Sequence, residues 1–218
     1  VYPVAFDLVS FRETDQFYSR ADIKVNQMID ELIGLLKADG YQVSDRVMIE
    51  GFSSGGMFAQ RYALLHSERV KAISAGHCGG SFTLPLDEYE GQPLRWPVGV
   101  NNINELAGLS FNKQYYMRIA QHIYIGDLDT GEGNTTIVYN RLHPDWGPGY
   151  HWESIDQMEF LHNTFGETDP VRLGNQVRFL QVLGYNQIEF RLYGGTPHQL
   201  TPAMVNDLMT FLSDQTRD

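Results

Sequence analysis

The sequence predicts an α/β protein with a mostly parallel sheet flanked by helices, folded as a single domain over residues 1–218. Three observations favour this fold class. Short apolar runs alternate with amphipathic helical stretches, which is the pattern of parallel strands joined by crossover helices. The length of 218 residues suits one sizeable core and not two. Apolar residues at 42 % and charged residues at 20 % are ordinary for a globular protein.

The strands are predicted from short apolar runs bounded by turn residues. In chain order they cover residues 4–9, 46–50, 70–75, 122–125 and 188–193. The first helix is predicted at 22–37, because apolar residues recur there at helical spacing and Gly40 is placed to end it. The last helix is predicted to begin at Pro202, with Thr201 as its N-cap. Further helices are predicted at 57–65, 153–165 and 173–183.

Two stretches depart from this alternation. Residues 78–112 are rich in glycine, proline and aromatic residues and are predicted to form an ordered loop. Residues 130–184 separate two strands by far more than one crossover needs, which predicts a helical insertion between the last two strands. A cap over a pocket and plain packing on the surface are both open interpretations of this insertion.

The motif with the clearest chemistry is G-x-S-x-G at residues 51–55. It follows a predicted strand and opens a predicted helix, which is the context that makes Ser53 a nucleophile on a sharp, strained turn. Gly51 and Gly55 are expected to let strand and helix approach closely. Ser54 breaks the motif spacing as a nucleophile, but its backbone N–H lies at a helix N-terminus and can bind an oxyanion.

A serine nucleophile needs a base, and with this motif the chain order is serine, acid, histidine. His198 follows the last strand and precedes the last helix, so it is the predicted base. His66 is expected at the surface of a helix, and His122 begins a strand at the wrong end. His77 follows the strand after the motif and could line the pocket. The remaining histidines, His143, His151 and His162, fall in the insertion.

Two aspartates compete for the role of the acid that orients the base. Asp127 and Asp129 both follow the strand at 122–125, and Asp129 is favoured because it lies further into the loop. Asp127 is then expected to cap the turn through its carboxylate. The D-x-D spacing is also found in metal sites, but no matching cluster of ligands lies nearby in the sequence, so no metal and no other cofactor is predicted.

Charge and cysteine content exclude several classes of function. The formal net charge of −11 gives no electrostatic basis for binding nucleic acid or anionic lipid. No apolar run is long enough to span a membrane. Cys78 is the single cysteine, so no internal disulfide is predicted, and a cytoplasmic location is favoured. The chain opens without a signal pattern and reads like the middle of a domain.

These motifs resemble the α/β-hydrolase superfamily, in its esterase and lipase branch. The resemblance lies in the elbow at 51–55, the loop from Gly126 to Asp129 and the loop from Gly195 to His198. The runs at 58–66 and 94–100 are similar to a group of uncharacterised bacterial hydrolases. The resemblance implies Ser53, Asp129 and His198 as a catalytic triad, and it leaves the substrate open.

One departure from the family concerns the sheet. In the family, a strand and an oxyanion loop with a second donor precede the strand predicted at 4–9, and no such segment is found in this sequence. The family's sheet places the missing strand between the strands at 4–9 and 46–50, and leaving that gap open would be costly. We therefore expect an upstream segment or a separate chain to complete the sheet, or the strand at 4–9 to fill the gap.

The function that follows from these residues is hydrolysis of a small carboxylic ester through an acyl-enzyme. His77, Trp96, Trp146 and Trp152 are candidates for the pocket wall, with His77 and Trp96 as substrate-binding residues. A serine peptidase of the same fold and a catalytically silent binding domain are the alternatives. The sequence leaves a homo-oligomer open.

Overall fold

The computed structural model of the chain describes residues 20–78, 82–130 and 155–216. The strands in this part of the chain are β1 (Val47–Phe52), β2 (Val70–Gly76), β3 (Glu88–Tyr89), β4 (Gln92–Pro93), β5 (Ala120–Gly126) and β6 (Ile188–Tyr193). The α-helices are α1 (Ala21–Ala38), α2 (Ser54–Leu65), α3 (Ile103–Ala107), α4 (Lys113–Tyr116), α5 (Ile155–Phe165), α6 (Asp169–Val182) and α7 (Pro202–Asp214).

The main sheet has four parallel strands in the order β1, β2, β5, β6. Its register sets Phe52 beside Gly76 and Gly76 beside Tyr124, so the carboxyl ends of the strands meet at one edge. The predicted fold class, a parallel α/β sheet flanked by helices, is confirmed. It is consistent with the α/β-hydrolase fold that the resemblance implies.

The predicted strands agree with the sheet, with small differences at their ends. The strand at Ile188–Tyr193 has the predicted bounds, and the other three extend beyond the predicted runs by one or two residues at an end. All seven residues of β5 are buried, because both of its edges are paired and both of its faces are covered. The strand predicted at 4–9 lies outside the described residues, and β1 is an edge strand among the strands described.

Helix α1 occupies its predicted position, but it buries less of its apolar stripe than the periodicity suggests. Val25 and Ile29 pack against the core. Met28 and Leu32 are exposed by 68 % and 56 %. None of the described helices is both long and apolar enough to cross a membrane.

The ordered loop predicted at residues 78–112 contributes to the hydrophobic core. Its described portion contains the short β3–β4 hairpin and helix α3, neither of which was predicted. Its buried side chains, which join the central cluster, include Phe82, Leu84, Leu94, Trp96 and Val98.

The insertion before β6 contains the two predicted helices. Helix α6 packs against β6 and α5, and it buries Leu173, Val177 and Leu180. This packing makes α6 the crossover helix between β5 and β6. Within the insertion predicted at 130–184, residues 131–154 lie outside the described part, and the cap over a pocket stays a prediction.

Candidate active site

The elbow is the sharp turn between β1 and α2, and Ser53 stands at its apex. Its backbone has φ 58° and ψ −125°, a conformation that costs free energy for any residue with a side chain. The N–H of Ser53 donates to the carbonyl of Gly76 at 2.8 Å, which fixes the turn to the end of β2. The strained strand-to-helix turn expected from the motif is present.

The glycines of the elbow differ in importance. A Cβ at Gly51 would lie 2.0 Å from the carbonyl oxygen of Gly55, so no side chain fits there. A Cβ at Gly55 would have no described atom within 4 Å, so the expectation that Gly55 itself must lack a side chain is wrong. Gly56 meets that requirement instead, since its Cβ would lie 2.8 Å from the Gly76 carbonyl.

The histidine facing Ser53 is His198, in the loop between β6 and α7. Its Nε2 lies 3.0 Å from the hydroxyl oxygen of Ser53, and its Nδ1 lies 2.9 Å from Oδ2 of Asp129. A carboxylate accepts hydrogen bonds, so the Nδ1 nitrogen donates and carries the proton. The Nε2 nitrogen can then accept the proton of the serine hydroxyl. The imidazole ring is 32 % exposed, so a ligand can approach it.

Asp129 lies in the loop after β5 and is 7 % exposed. Its Oδ2 accepts hydrogen bonds from His198 and from Nδ1 of His77. Burial by itself raises the pKa of Asp129, but these hydrogen bonds and the nearby imidazoles lower it further than burial raises it. The net effect holds the pKa of Asp129 well below its ordinary value, so Asp129 is a carboxylate at neutral pH.

Asp127 holds the loop that carries His198. Its Oδ1 accepts from the backbone N–H of Thr196 at 3.2 Å, and the N–H of Leu128 donates to the Thr196 carbonyl at 3.1 Å. A Cβ at Gly126 would lie 1.9 Å from that same carbonyl oxygen. The carboxylate of Asp127 therefore bonds a backbone N–H of a second loop, where the sequence suggested a cap of its own turn.

Two predicted substrate-binding side chains are buried. His77 follows β2 and is fully buried, with its ring against the Asp129 carboxylate and its backbone at φ 49°. Trp96 is 4 % exposed in the core, with the guanidinium of Arg61 over its ring at 5.5 Å. Neither side chain presents an open surface among the described residues. Trp146 and Trp152 lie outside them.

Ser54 is the first residue of α2, so its backbone N–H has no acceptor within the helix. A helix N-terminus of this kind favours negative charge, which agrees with the predicted oxyanion donor.

The prediction that His66 lies at the surface is wrong, because His66 is 7 % exposed and bonds to Asp22.

His77, Asp129 and His198 also form a group of the kind that could hold a metal ion, with ligand atoms within 4.8 Å of one another. The Nδ1 atoms lie 2.6 and 2.9 Å from the carboxylate oxygen. Ligands around a tetrahedral zinc ion would stand about 3.3 Å apart. The spacing is that of N–H donors on a carboxylate acceptor, so the group is built as a hydrogen-bonded array.

No known family and no curated protein matches this sequence. Among solved structures, the chain is similar to esterase PE8 at 16 % identity and TM-score 0.42, over 86 % of this chain and 58 % of that one. It is also similar to a structure from work on carboxylesterases of the ammonia-oxidizing thaumarchaeon Nitrososphaera gargenis, at 15 % identity and TM-score 0.38, over 88 % of this chain and 72 % of that one. The chain thus spans little more than half of the length of esterase PE8, and the likeness is coarse.

Proposed function

We propose that this protein is a serine hydrolase that cleaves carboxylic esters through an acyl-enzyme intermediate. The observation that carries the proposal is the continuous hydrogen-bonded chain from the Ser53 hydroxyl through His198 to Asp129. The three residues stand at the carboxyl ends of three parallel strands, where open α/β sheets bind their ligands. The order serine, acid, histidine along the chain is the order that the elbow motif requires.

The proposed chemistry begins at Ser53. As its Oγ attacks the carbonyl carbon of the ester, His198 Nε2 takes the hydroxyl proton and becomes a cation. The proton then passes to the leaving alcohol as the C–O bond breaks, which leaves Ser53 acylated. Water attacks the acyl-enzyme, giving its proton to His198, and the serine is regenerated with release of the acid. Asp129 holds the imidazole in the Nδ1–H tautomer and stabilises its charged form throughout.

The developing negative charge on the carbonyl oxygen needs donors of its own. The backbone N–H of Ser54 stands next to the nucleophile at the N-terminus of α2, which supports it as one donor. An N–H placed there strengthens its hydrogen bond as the oxygen becomes charged. Loss of one such donor typically lowers the rate on the order of 10²–10³-fold.

The proposal is tested by replacing the nucleophile. We expect Ser53→Ala to lower the hydrolysis of a short-chain p-nitrophenyl ester on the order of 10⁴–10⁶-fold and to abolish labelling by a fluorophosphonate probe. The matched control is Ser213→Ala, which removes an exposed hydroxyl from α7. Full activity or labelling in the Ser53 variant would refute the proposal. Wild-type protein that is folded and not labelled would favour the silent binding domain.

A further inference from the structure

We infer that His77 is a positioning residue of the proposed triad, which shares the Asp129 carboxylate with His198. The inference rests on the proposed function and extends it, because a three-residue triad leaves His77 with no role. Its Nδ1 lies 2.6 Å from Asp129 Oδ2, closer than the 2.9 Å of His198. One oxygen thus accepts from two imidazoles.

The two histidines are held in a fixed relation. Their ring centroids lie 5.2 Å apart with the planes at 88°, so each N–H reaches the shared oxygen from a different direction. The ring of Phe52, which precedes the nucleophile, packs against both at 4.9 Å and 5.1 Å. The elbow residue beside Ser53 therefore also fixes the two rings that hold the acid.

The protonation of His77 follows from its partners. Its Nδ1 faces a carboxylate and must donate. Its Nε2 is buried and has no hydrogen-bond partner in the described part of the chain. A proton on both nitrogens would bury an N–H without an acceptor, which is costly. His77 therefore serves Asp129 as an Nδ1–H donor.

The backbone conformation of His77 supports the inference that the fold holds this side chain in a specific place. With φ at 49° it occupies the left-handed region, which residues with a side chain adopt uncommonly. Its N–H still donates to the Tyr124 carbonyl at 2.9 Å, so the ladder with β5 continues while the side chain turns beneath the elbow. The ring is fully buried and cannot contact a substrate, which leaves Asp129 as its target.

Two consequences follow for the reaction. The second donor keeps Asp129 oriented while His198 moves between Ser53 and the leaving group. It also draws part of the carboxylate charge away from His198, so less of that charge stabilises the cationic form of His198. Without His77, the imidazolium would be favoured more strongly, and the serine would be activated only at higher pH.

The test compares variants of His77 by the rate at which a fluorophosphonate labels Ser53 across pH. His77→Leu removes the donor, and we expect labelling to fall about 10- to 100-fold at neutral pH, with the acid limb of the profile moved up by about one pH unit. His77→Asn keeps an amide N–H near the position of Nδ1 and tolerates the left-handed backbone. It should therefore restore most of the labelling rate at neutral pH and bring the acid limb most of the way back to its wild-type position.

The matched control is His122→Leu. His122 is also a buried histidine whose Nε2 makes no hydrogen bond among the described residues, but it lies in the first half of β5, away from the loops. Its variant should keep the wild-type pH profile. Equal shifts in the two leucine variants, or no rescue by asparagine, would overturn the inference.

A measurement on the unmodified protein does not depend on any variant folding. Besides the imidazole N–H of His66 on Asp22, proton NMR of histidine-labelled protein should show two strongly downfield imidazole N–H signals, one from each donor to Asp129. Only one downfield signal besides that of His66 would overturn the inference. If His77→Leu is labelled at Ser53 with an unchanged pH profile, the inference about His77 is overturned and the proposed function stands. If the wild-type protein is never labelled, both the inference and the proposed function are refuted.

Discussion

In the described part of the chain, Asp129 and Asp22 are buried aspartates that bond to histidines and look alike locally. Asp129 bonds Nδ1 of His198 at 2.9 Å, and Asp22 bonds Nε2 of His66 at 2.8 Å. Each aspartate accepts from a second cationic or imidazole side chain. In each case burial raises the pKa of the carboxyl, and the hydrogen bonds lower it to below its ordinary value.

The pairs differ at the second nitrogen of the histidine. Nδ1 of His66 accepts from the amide of Asn26 at 2.8 Å, and the hydroxyl of Tyr62 donates to that same amide. Arg20 donates to both oxygens of Asp22 at 2.9 Å and so fixes a permanent positive charge there. Both ring nitrogens of His66 and both oxygens of Asp22 are thus hydrogen-bonded within this network, and the ring is buried.

In the pair of Asp129 and His198 at the sheet edge, the second ring nitrogen contacts the proposed nucleophile. Nε2 of His198 faces a hydroxyl on a strained turn, in a ring that is partly exposed. An aspartate–histidine pair is therefore a structural device by default. It becomes a candidate for catalysis where the second nitrogen of the histidine bonds to a nucleophile on a strained turn.

The largest expected effect comes from the same substitution made in both pairs. We expect Asp129→Asn to lower ester hydrolysis on the order of 10⁴-fold, because an amide N–H facing the ring favours the wrong tautomer of His198. Asp22→Asn should leave the rate unchanged at temperatures well below its melting transition. Steady-state rates of both variants measure this contrast, and comparable losses would contradict the division into a reactive and a structural pair.

A smaller loss is expected when the loops of the sheet edge are pushed apart. In Gly126→Ala the new methyl group would strike the Thr196 carbonyl, and the loop that carries His198 must move. A displacement of about 1 Å typically costs about 10²-fold in rate. The control is Gly34→Ala in α1, where a Cβ meets no described atom within 4 Å. Rates near wild type in Gly126→Ala would show that the loops have more freedom than the contact suggests.

The smallest effect on rate, and the clearest effect on stability, is expected at Asp22. Asp22→Asn removes the charge and replaces one of the two oxygens that accept from Arg20 and His66 with an N–H donor, which should cost about 2 kcal/mol and lower the melting temperature by about 4–8 °C. Calorimetry near neutral pH measures this loss. A melting temperature equal to that of the wild type would contradict the role given to this network.

The same variant has a predicted pH dependence. The pKa of Asp22 is lower in the folded protein than its ordinary value of 3.8. Its contribution is therefore complete above about pH 4 and is lost as the pH falls through the folded pKa. The gap in melting temperature between wild type and Asp22→Asn should be constant from neutral pH to about pH 5 and should narrow at lower pH.

Local patterns were enough to predict most of the sheet. The run at Ile188–Tyr193 alternates apolar and polar residues as a half-buried strand does, and the apolar stretch around Ile123 is too short for a helix, so both could be recognised in isolation. The motif around Ser53 and the loops after two strands placed Asp129 and His198 at one edge, because parallel strands bring their carboxyl ends together.

What the sequence could not supply depends on contacts between distant segments. Nothing local distinguishes His77, which turns under the elbow through a left-handed backbone, from a histidine that lines a pocket. The burial of His66 depends on Asp22, which is 44 residues away. The steric role of Gly56 depends on the end of β2 rather than on the motif itself.

The proposed triad has a consequence for how the chain folds. The hydrogen bond between Ser53 and His198 joins residues 145 positions apart, and Asp129 meets His198 across 69 positions. Contacts of such high contact order form only after the entropy of closing long loops has been overcome. The elbow can assemble from neighbouring segments alone, but the base arrives with the last strand. Recovery of activity during refolding would therefore report the docking of β6 and not the formation of the nucleophile.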